Sequence, residues 1–210
     1  MKIGVDEAGK GSVLGSMFVA AVRAPSDALP DGIDDSKRLS DERRKAFAAR
    51  LNEDDRIDVA VVEITTDRID AGNMNDLAVA AHAEALSNVI HPGDVGTCDA
   101  ADVDADRFAR RVTARLSVDV TVRAEHRADA TNAHVGAASI VAKSAREAHV
   151  EALAAEYGPV GSGYPSDSNT RTFLAEYVDE FGELPGCARR SWSTCADVLA
   201  AAEQSRLDGF

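Results

Sequence analysis

The densest group of reactive side chains lies at the start of the chain, in Gly4-Val5-Asp6-Glu7-Ala8-Gly9-Lys10-Gly11-Ser12. Two adjacent carboxylates, a lysine and three glycines admit two chemistries. The spacing from Gly4 to Lys10 matches the G-x-x-x-x-G-K of a phosphate-binding loop. That loop needs Ser or Thr directly after its lysine to hold magnesium, and Gly11 stands there instead. Asp6 and Glu7 would also repel the phosphates such a loop cradles. Carboxylate oxygens suit hard divalent cations better, although the doublet taken alone reads equally well as a solvated turn. On a straight strand, Asp6 and Glu7 point to opposite faces. Glu7 therefore reaches a metal shared with Asp6 only if the glycines turn the chain, or if its backbone carbonyl serves.

Two further acids stand in similar settings. Asp99 closes the apolar run Val95-Gly-Thr-Cys98, and Asp129 follows Val118–Ala124 through Glu125-His126-Arg127-Ala128. Strand ends of an α/β sheet converge at one edge, where ligand sites gather. Carboxylates brought together there repel one another unless cations sit among them. Two cations ~3.5–4 Å apart can stabilise both the attacking and the leaving oxygen of a phosphodiester. Without further evidence, Asp99 and Asp129 are equally ordinary loop acids. The five histidines (82, 91, 126, 134 and 149) form no metal-binding pair on one helix. His126 lies near Asp129, but a structural role is the simpler reading.

Hydropathy patterning supplies the elements that position these acids. Lys2–Asp6 reads as a buried strand running into the acidic turn, and Ser16–Arg23 as a second strand. Ser40 caps a helix over Asp41–Leu51, with acids in its first turn. Ile57–Thr65 is β-branched and reads as a strand; Asn75–Ile90 has helical spacing and ends at His91-Pro92-Gly93-Asp94. A strand over Val95–Asp99, a helix over Asp104–Leu116 and a strand over Val118–Ala124 follow. Asn132–Tyr157 is a long alanine-rich helix, Gly161–Pro165 a loop, and Thr170–Phe181 and Ser191–Gln204 are helical. Interleaved strands and helices predict an α/β layer structure.

The 210 residues fit one domain, and 45 % hydrophobic composition is enough for one core. Cys98, Cys187 and Cys195 are odd in number and lack C-x-x-C spacing, which points to buried free thiols rather than disulfides or zinc. No apolar run approaches the ~20 residues of a membrane span, and Asp6 falls where a signal peptide would be apolar; a soluble, cytoplasmic protein is expected. Net charge is −13, and only Lys2, Lys10, Lys37, Lys45 and Lys143 among the 23 basic residues are lysines. A nucleic-acid enzyme ordinarily carries a basic footprint. An acidic, lysine-poor surface suits instead a cytoplasm of very high salt, where screening shrinks the Debye length to ~3 Å or less. The chain is thus expected to be halophilic. A refolding curve against KCl checks this: recovery should need molar salt, and full stability in dilute buffer would count against it.

Ile3-Gly-Val-Asp6-Glu7-Ala-Gly9-Lys10-Gly11-Ser-Val-Leu-Gly15 resembles the opening motif of ribonuclease HII. Asp35-Ser36-Lys37 with Leu39 resembles that family's second motif. Ala124-Glu-His-Arg-Ala-Asp129, then Ala137-Ala-Ser139-Ile-Val-Ala-Lys143, resembles the segment that holds its last acid and the helix beyond. Gly161-Ser-Gly163-Tyr164-Pro-Ser-Asp167 and Arg190-Ser-Trp192 also match. The motifs occur in the family's order over roughly residues 3 to 195, closest to the archaeal branch. Lys10 replaces the usual arginine and Ser12 the usual proline. The first change weakens bidentate phosphate contact.

The resemblance implies a ribonuclease H-like fold, a mixed five-stranded sheet flanked by helices with a helical C-terminal part. It implies Asp6, Glu7, Asp99 and Asp129 as catalytic carboxylates around two Mg²⁺ or Mn²⁺ ions; for the third, Asp102 and Asp104 are nearby competitors, and the strand-end position favours Asp99. It implies hydrolysis of the RNA strand of RNA–DNA hybrids and of duplex DNA at embedded ribonucleotides, leaving 5′-phosphate and 3′-hydroxyl ends. The backbone of Gly9-Lys10-Gly11 would meet the 2′-hydroxyl, which distinguishes RNA from DNA, and Tyr164 would sense the ribonucleotide–deoxyribonucleotide junction. Lys37, Ser139 and Lys143 are phosphate-binding candidates, the last two on one helix face, with Arg38 and Arg146 behind them. The catalytic domain then spans residues 1–203. Residues 204–210 form a tail in which Gln204, Leu207 and Phe210 resemble a short sliding-clamp-binding motif, although terminal residues often simply fray. Another ribonuclease H-like DNA nuclease and a non-catalytic nucleic-acid binding module are the alternatives.

Overall fold

The computed structural model describes residues 1–30, 33 and 40–208. Five strands form one mixed sheet in the order β3-β2-β1-β4-β5. They are β1 (Lys2–Ala8), β2 (Met17–Ala24), β3 (Asp58–Ile64), β4 (Val95–Asp99) and β5 (Thr121–Glu125). β2 runs antiparallel to both β1 and β3, whereas β4 lies parallel to β1 and β5 parallel to β4. β1 and β2 are buried nearly end to end, as central strands covered on both faces must be.

Strand alternation divides the core into two layers. On one face Ile3, Val5, Met17, Val19 and Cys98 pack against α3 (Met74–Ser87) and α4 (Ala105–Thr113). On the other face Ala8, Ala20 and Val22 pack against α1 (Asp41–Glu53) and the first half of α5 (Ala133–Tyr157). A third cluster joins the end of α5 to α6 (Ser168–Phe181) and α7 (Ser193–Asp208), with Val13 and Leu14 of the opening loop inserted into it. Trp192, half-buried, touches both the first and the third cluster.

Helix starts follow their capping residues. Ser40 accepts from the Arg43 amide, Asn73 from Asn75 and Asp76, Asp104 from Arg107, and Asn132 from His134 and Val135. Each satisfies amides that a helix leaves open. All three cysteines are buried and free, as expected, and no helix among the described residues is long and apolar enough to cross a membrane.

The structure departs from the sequence reading in several places. A short helix, α2 (Thr66–Ala71), intervenes where only a connection was expected, capped by the Thr65 hydroxyl at the Arg68 amide. β1 does not turn at Asp6 but continues to Ala8. β5 begins at Thr121 rather than Val118. α7 continues beyond Gln204 to Asp208, so no break in the helix marks the division at residue 203.

Candidate active site at the sheet edge

The carboxyl ends of the parallel strands bring the predicted acids into one neighbourhood. Val5 pairs with Cys98, so Asp6 and Asp99 follow as adjacent residues on neighbouring parallel strands. Both lie on the α5 side, because Val5 and Cys98 belong to the opposite layer. Asp129 sits in a single 3-10 turn, Ala128–Ala130, between β5 and α5. Arg127, which enters that turn, has φ of 59° and is the one non-glycine among the described residues in the left-handed region. Non-glycine residues there are uncommon and cluster at functional sites. The next amide, Ala128 N–H, donates to Asp99 Oδ1 at 3.1 Å, tying the turn to the end of β4.

Glu7 goes the other way. Because β1 continues straight through it, the Glu7 side chain enters the α3 layer, where its Oε2 lies 3.4 Å from His82 Nε2. His82 Nδ1 is 2.9 Å from the Ala78 carbonyl. Complete burial pushes this imidazole down to about 4, so it is neutral near pH 7 and the contact with Glu7 is no ion pair. Neither Glu7 Oε2 nor His82 Nε2 has a hydrogen-bond partner.

The electrostatics are those of crowded, desolvated anions. Burial, and after it neighbouring Asp99, raises the Asp6 carboxyl to about 7 against the opposing pull of Ser139, the Glu7 amide and Lys143. Burial and Asp6 push Glu7 up to about 8, against the pull of Lys10. Asp99 is raised by burial and by Asp129, opposed by the Ala128 amide. Among the described residues no three His, Cys, Asp or Glu side chains form a ready-made coordination shell. Repulsion keeps unbalanced carboxylates apart, and Glu7 occupies the opposite pleat. The donor set nonetheless fits hard divalent cations: Asp6, Asp99 and Asp129 offer acidic oxygens crowded in a buried place, and on the opposite pleat Glu7 Oε2 is left without a partner.

The competing acids have other duties. Asp102 pairs with Arg107 at 2.6 Å, and Asp104 caps α4. Asp99 is thus the acid that the fold places beside Asp6 and Asp129. The space beside Gly4 is filled by the backbone of α5. A Cβ there would lie 2.0 Å from the His134 carbonyl carbon, so its role is to let α5 cross β1 in contact.

The substrate-binding candidates divide. Lys143 is half-buried and acts on Asp6. Ser139, one turn earlier, is fully buried; its hydroxyl faces Asp6 but completes no hydrogen bond of good geometry. The structure therefore sets it beside an acid rather than at an open surface. Tyr164 is 37 % exposed and lines a cavity with Ala8, Lys143, Arg146 and Ser162. Arg146, by contrast, is buried, donating to the Leu14 carbonyl at 2.8 Å. Lys10 Nζ donates to the Ala101 carbonyl. Gly9, with φ of 82°, needs to be glycine for its backbone. Gly11 is exposed and a Cβ on it would meet nothing within 4 Å, so neither packing nor strain explains it. Lys37, Arg38 and Phe210 lie outside the described residues. His126 is exposed.

Sequence reasoning missed two groups, His82 and Arg189. Arg189 is fully buried against the carbonyls of Gly9, Lys10 and Gly15. The only signal for it was its place beside the Arg190-Ser-Trp192 match.

The family model described as Ribonuclease HII matches residues 3–195. A ribonuclease HII from Natronomonas pharaonis is 64 % identical over 208 residues, covering 99 % of this chain and 98 % of that protein. The crystal structure of ribonuclease H2 from Pyrococcus horikoshii OT3 superposes with a TM-score of 0.89 at 37 % identity, covering 97 % of this chain and 99 % of the other. The RNase HII of a PCNA:RNase HII complex from Archaeoglobus fulgidus gives 0.85 at 34 % identity, covering 94 % and 96 %.

Proposed function

The chain belongs to the ribonuclease HII family, and from that premise we propose that the edge formed by β1, β4 and the Asp129 turn is where it cuts. Ribonuclease HII is an endonuclease that hydrolyses the RNA strand of RNA–DNA hybrids. The observation that carries the placement is the juxtaposition of Asp6 and Asp99 on paired parallel strands, with Asp129 beside Asp99. Asp6, Asp99 and Asp129 would hold divalent cations, magnesium or manganese, with Glu7 joining through a side-chain movement or its carbonyl. Such ions, when bound, lower the pKa of water and offset charge on a leaving oxygen. The chain itself supplies the crowded negative charge that attracts them. Lys143 beside Asp6 faces the phosphodiester, and the Gly9-Lys10-Gly11 backbone meets the 2′-hydroxyl of the ribonucleotide, in hybrids or embedded in duplex DNA. Tyr164 lies against the sugar at the junction. The products carry 5′-phosphate and 3′-hydroxyl ends.

An assay with manganese or magnesium on duplex DNA carrying one ribonucleotide, beside an all-DNA junction, tests this reading. Cleavage of the first alone is expected. Cleavage of the junction, or of neither, would favour a DNA nuclease or a non-catalytic binding module. Gly11→Ala sharpens the test. Its melting temperature should match wild type, because the new methyl meets open space, while cleavage falls about ten-fold or more as the backbone loses close approach to the ligand. A melting point lowered in step with activity would contradict this.

The tail of residues 204–210 is read as a sliding-clamp anchor. Leu207 is 71 % exposed at the end of α7, an apolar side chain of the kind that fills a partner's pocket. Calorimetry with the cognate clamp should show binding by the full chain and none by a chain lacking the last seven residues. Equal binding by both would remove the idea.

A further inference from the structure

Two side chains hold the Gly9-Lys10-Gly11 turn from behind: the Ser12 hydroxyl donates to the Gly9 carbonyl at 2.9 Å, and Arg189 reaches that carbonyl and the Lys10 carbonyl as well. Arg189 is fully buried and spends its whole guanidinium on backbone carbonyls: Nε to Gly15 at 2.9 Å, Nη1 to Lys10 at 2.9 Å and Nη2 to Gly9 at 2.6 Å. Its own amide donates to the Val13 carbonyl at 2.8 Å, and Leu14 bridges to Ala188, so the arginine is fixed to the same loop it clamps. The guanidinium carbon lies 5.1 Å from the centre of the Trp192 ring. Burial and neighbouring Arg146 lower its pKa to about 10, which leaves it charged at neutral pH. No carboxylate takes part in these three bonds. A buried charge that bonds only neutral carbonyls is a costly arrangement, and it secures the direction of the peptide planes.

All peptide bonds here are trans, so each carbonyl points opposite to the amide it shares a plane with. The Gly9 carbonyl shares its plane with the Lys10 N–H, and the Lys10 carbonyl with the Gly11 N–H. Drawing both carbonyls inward onto Arg189 turns both N–H groups away from the core. They lie beside Gly11, whose missing side chain leaves open space.

We infer that Arg189 is a positioning residue for ribonucleotide specificity, aiming the Lys10 and Gly11 amides at an oxygen of the ribonucleotide. The inference rests on the proposed reading of the substrate. Arg189 never touches the nucleic acid: it fixes two donors that do, and such pre-set donors discriminate because they need no reorganisation on binding. Lysine at this position keeps the charge but cannot span three carbonyls.

The test is equilibrium binding, with calcium replacing manganese to prevent cutting, to two duplexes that differ in a single 2′-hydroxyl. Wild type should prefer the ribonucleotide duplex. Arg189→Lys, folded by its melting curve and unchanged in manganese affinity, should lose about ten-fold or more of that preference, since each misplaced charge-assisted bond matters on that scale. Retained preference would overturn the inference. Should Arg189→Lys not fold, Trp192→Leu keeps the arginine and removes the ring against it; it must lower the preference too, and an undiminished preference overturns the inference. A wild type without preference refutes the substrate reading first.

Discussion

Asp6→Asn will abolish cleavage and, in chelator at pH 8 to 9, will melt above the wild type. The two effects have one cause. Asp6 is 5 % exposed, and burial lifts its carboxyl from 3.8 to about 7. Between those values the folded chain holds a proton that the unfolded chain has lost. Stability therefore declines as pH rises from about 4 to about 7, and the full penalty is present above that. At 1.36 kcal/mol per pH unit the penalty is on the order of a few kcal/mol. Asparagine carries no charge, keeps an oxygen to accept from the Glu7 amide as Asp6 does at 2.8 Å, and removes no core volume. The variant should therefore gain roughly 5–10 °C in alkaline chelator and nothing below pH 4. Manganese should raise the wild-type melting point and not that of the variant, because only the wild type gains a folded-state ligand. Thermal melts at pH 4 and pH 9, with and without manganese, check all of this. A variant that melts below wild type at pH 9 would contradict it.

Gly4→Ala should cost the fold about 3 kcal/mol or more, an overpacking effect at the upper end of its usual range. The added carbon would stand 2.0, 2.1 and 2.2 Å from backbone atoms of His134 and Val135. Backbone cannot rotate aside, so the first turn of α5 must retreat from β1. That turn begins four residues after Asp129, and the same helix carries Ser139 and Lys143, so site geometry moves with it. Denaturant melts in molar KCl measure the loss, with Gly11→Ala as the neutral comparison. Gly4→Ala unfolding together with wild type would refute the close contact of strand and helix.

Much of this site was legible because its parts lie at the ends of regular elements. The apolar run Val95–Cys98 followed by an acid marked β4 to the residue. Preferring Asp99 to Asp102 or Asp104 rested on the family resemblance together with the strand-end position. Strand geometry put Asp6 and Glu7 on opposite pleats, and β1 does keep them so. α2 went unread because six residues give too little periodicity, leaving only the cap at Thr65. Ser139 was read as a phosphate ligand from its place one helical turn from Lys143; its burial beside Asp6 depends on how closely α5 meets β1, which Gly4 settles through contact and not through pattern. Arg189 was invisible for a similar reason. Its partners are backbone carbonyls about 180 residues earlier in the chain, and no side-chain complementarity announces such bonds.

On the reading proposed above, cleavage depends on divalent cations held by the carboxylates at the edge of β1 and β4. Electron paramagnetic resonance of manganese, titrated into wild type, Asp6→Asn and Asp129→Asn in chelator-treated protein, tests it most directly. Wild type should bind manganese over the concentrations that restore cutting of a ribonucleotide-containing duplex, and both variants should lose binding and cutting together. Variants that bind manganese as wild type does, or a wild type that cuts fully in excess chelator, would show that these acids do not hold the cations of cleavage.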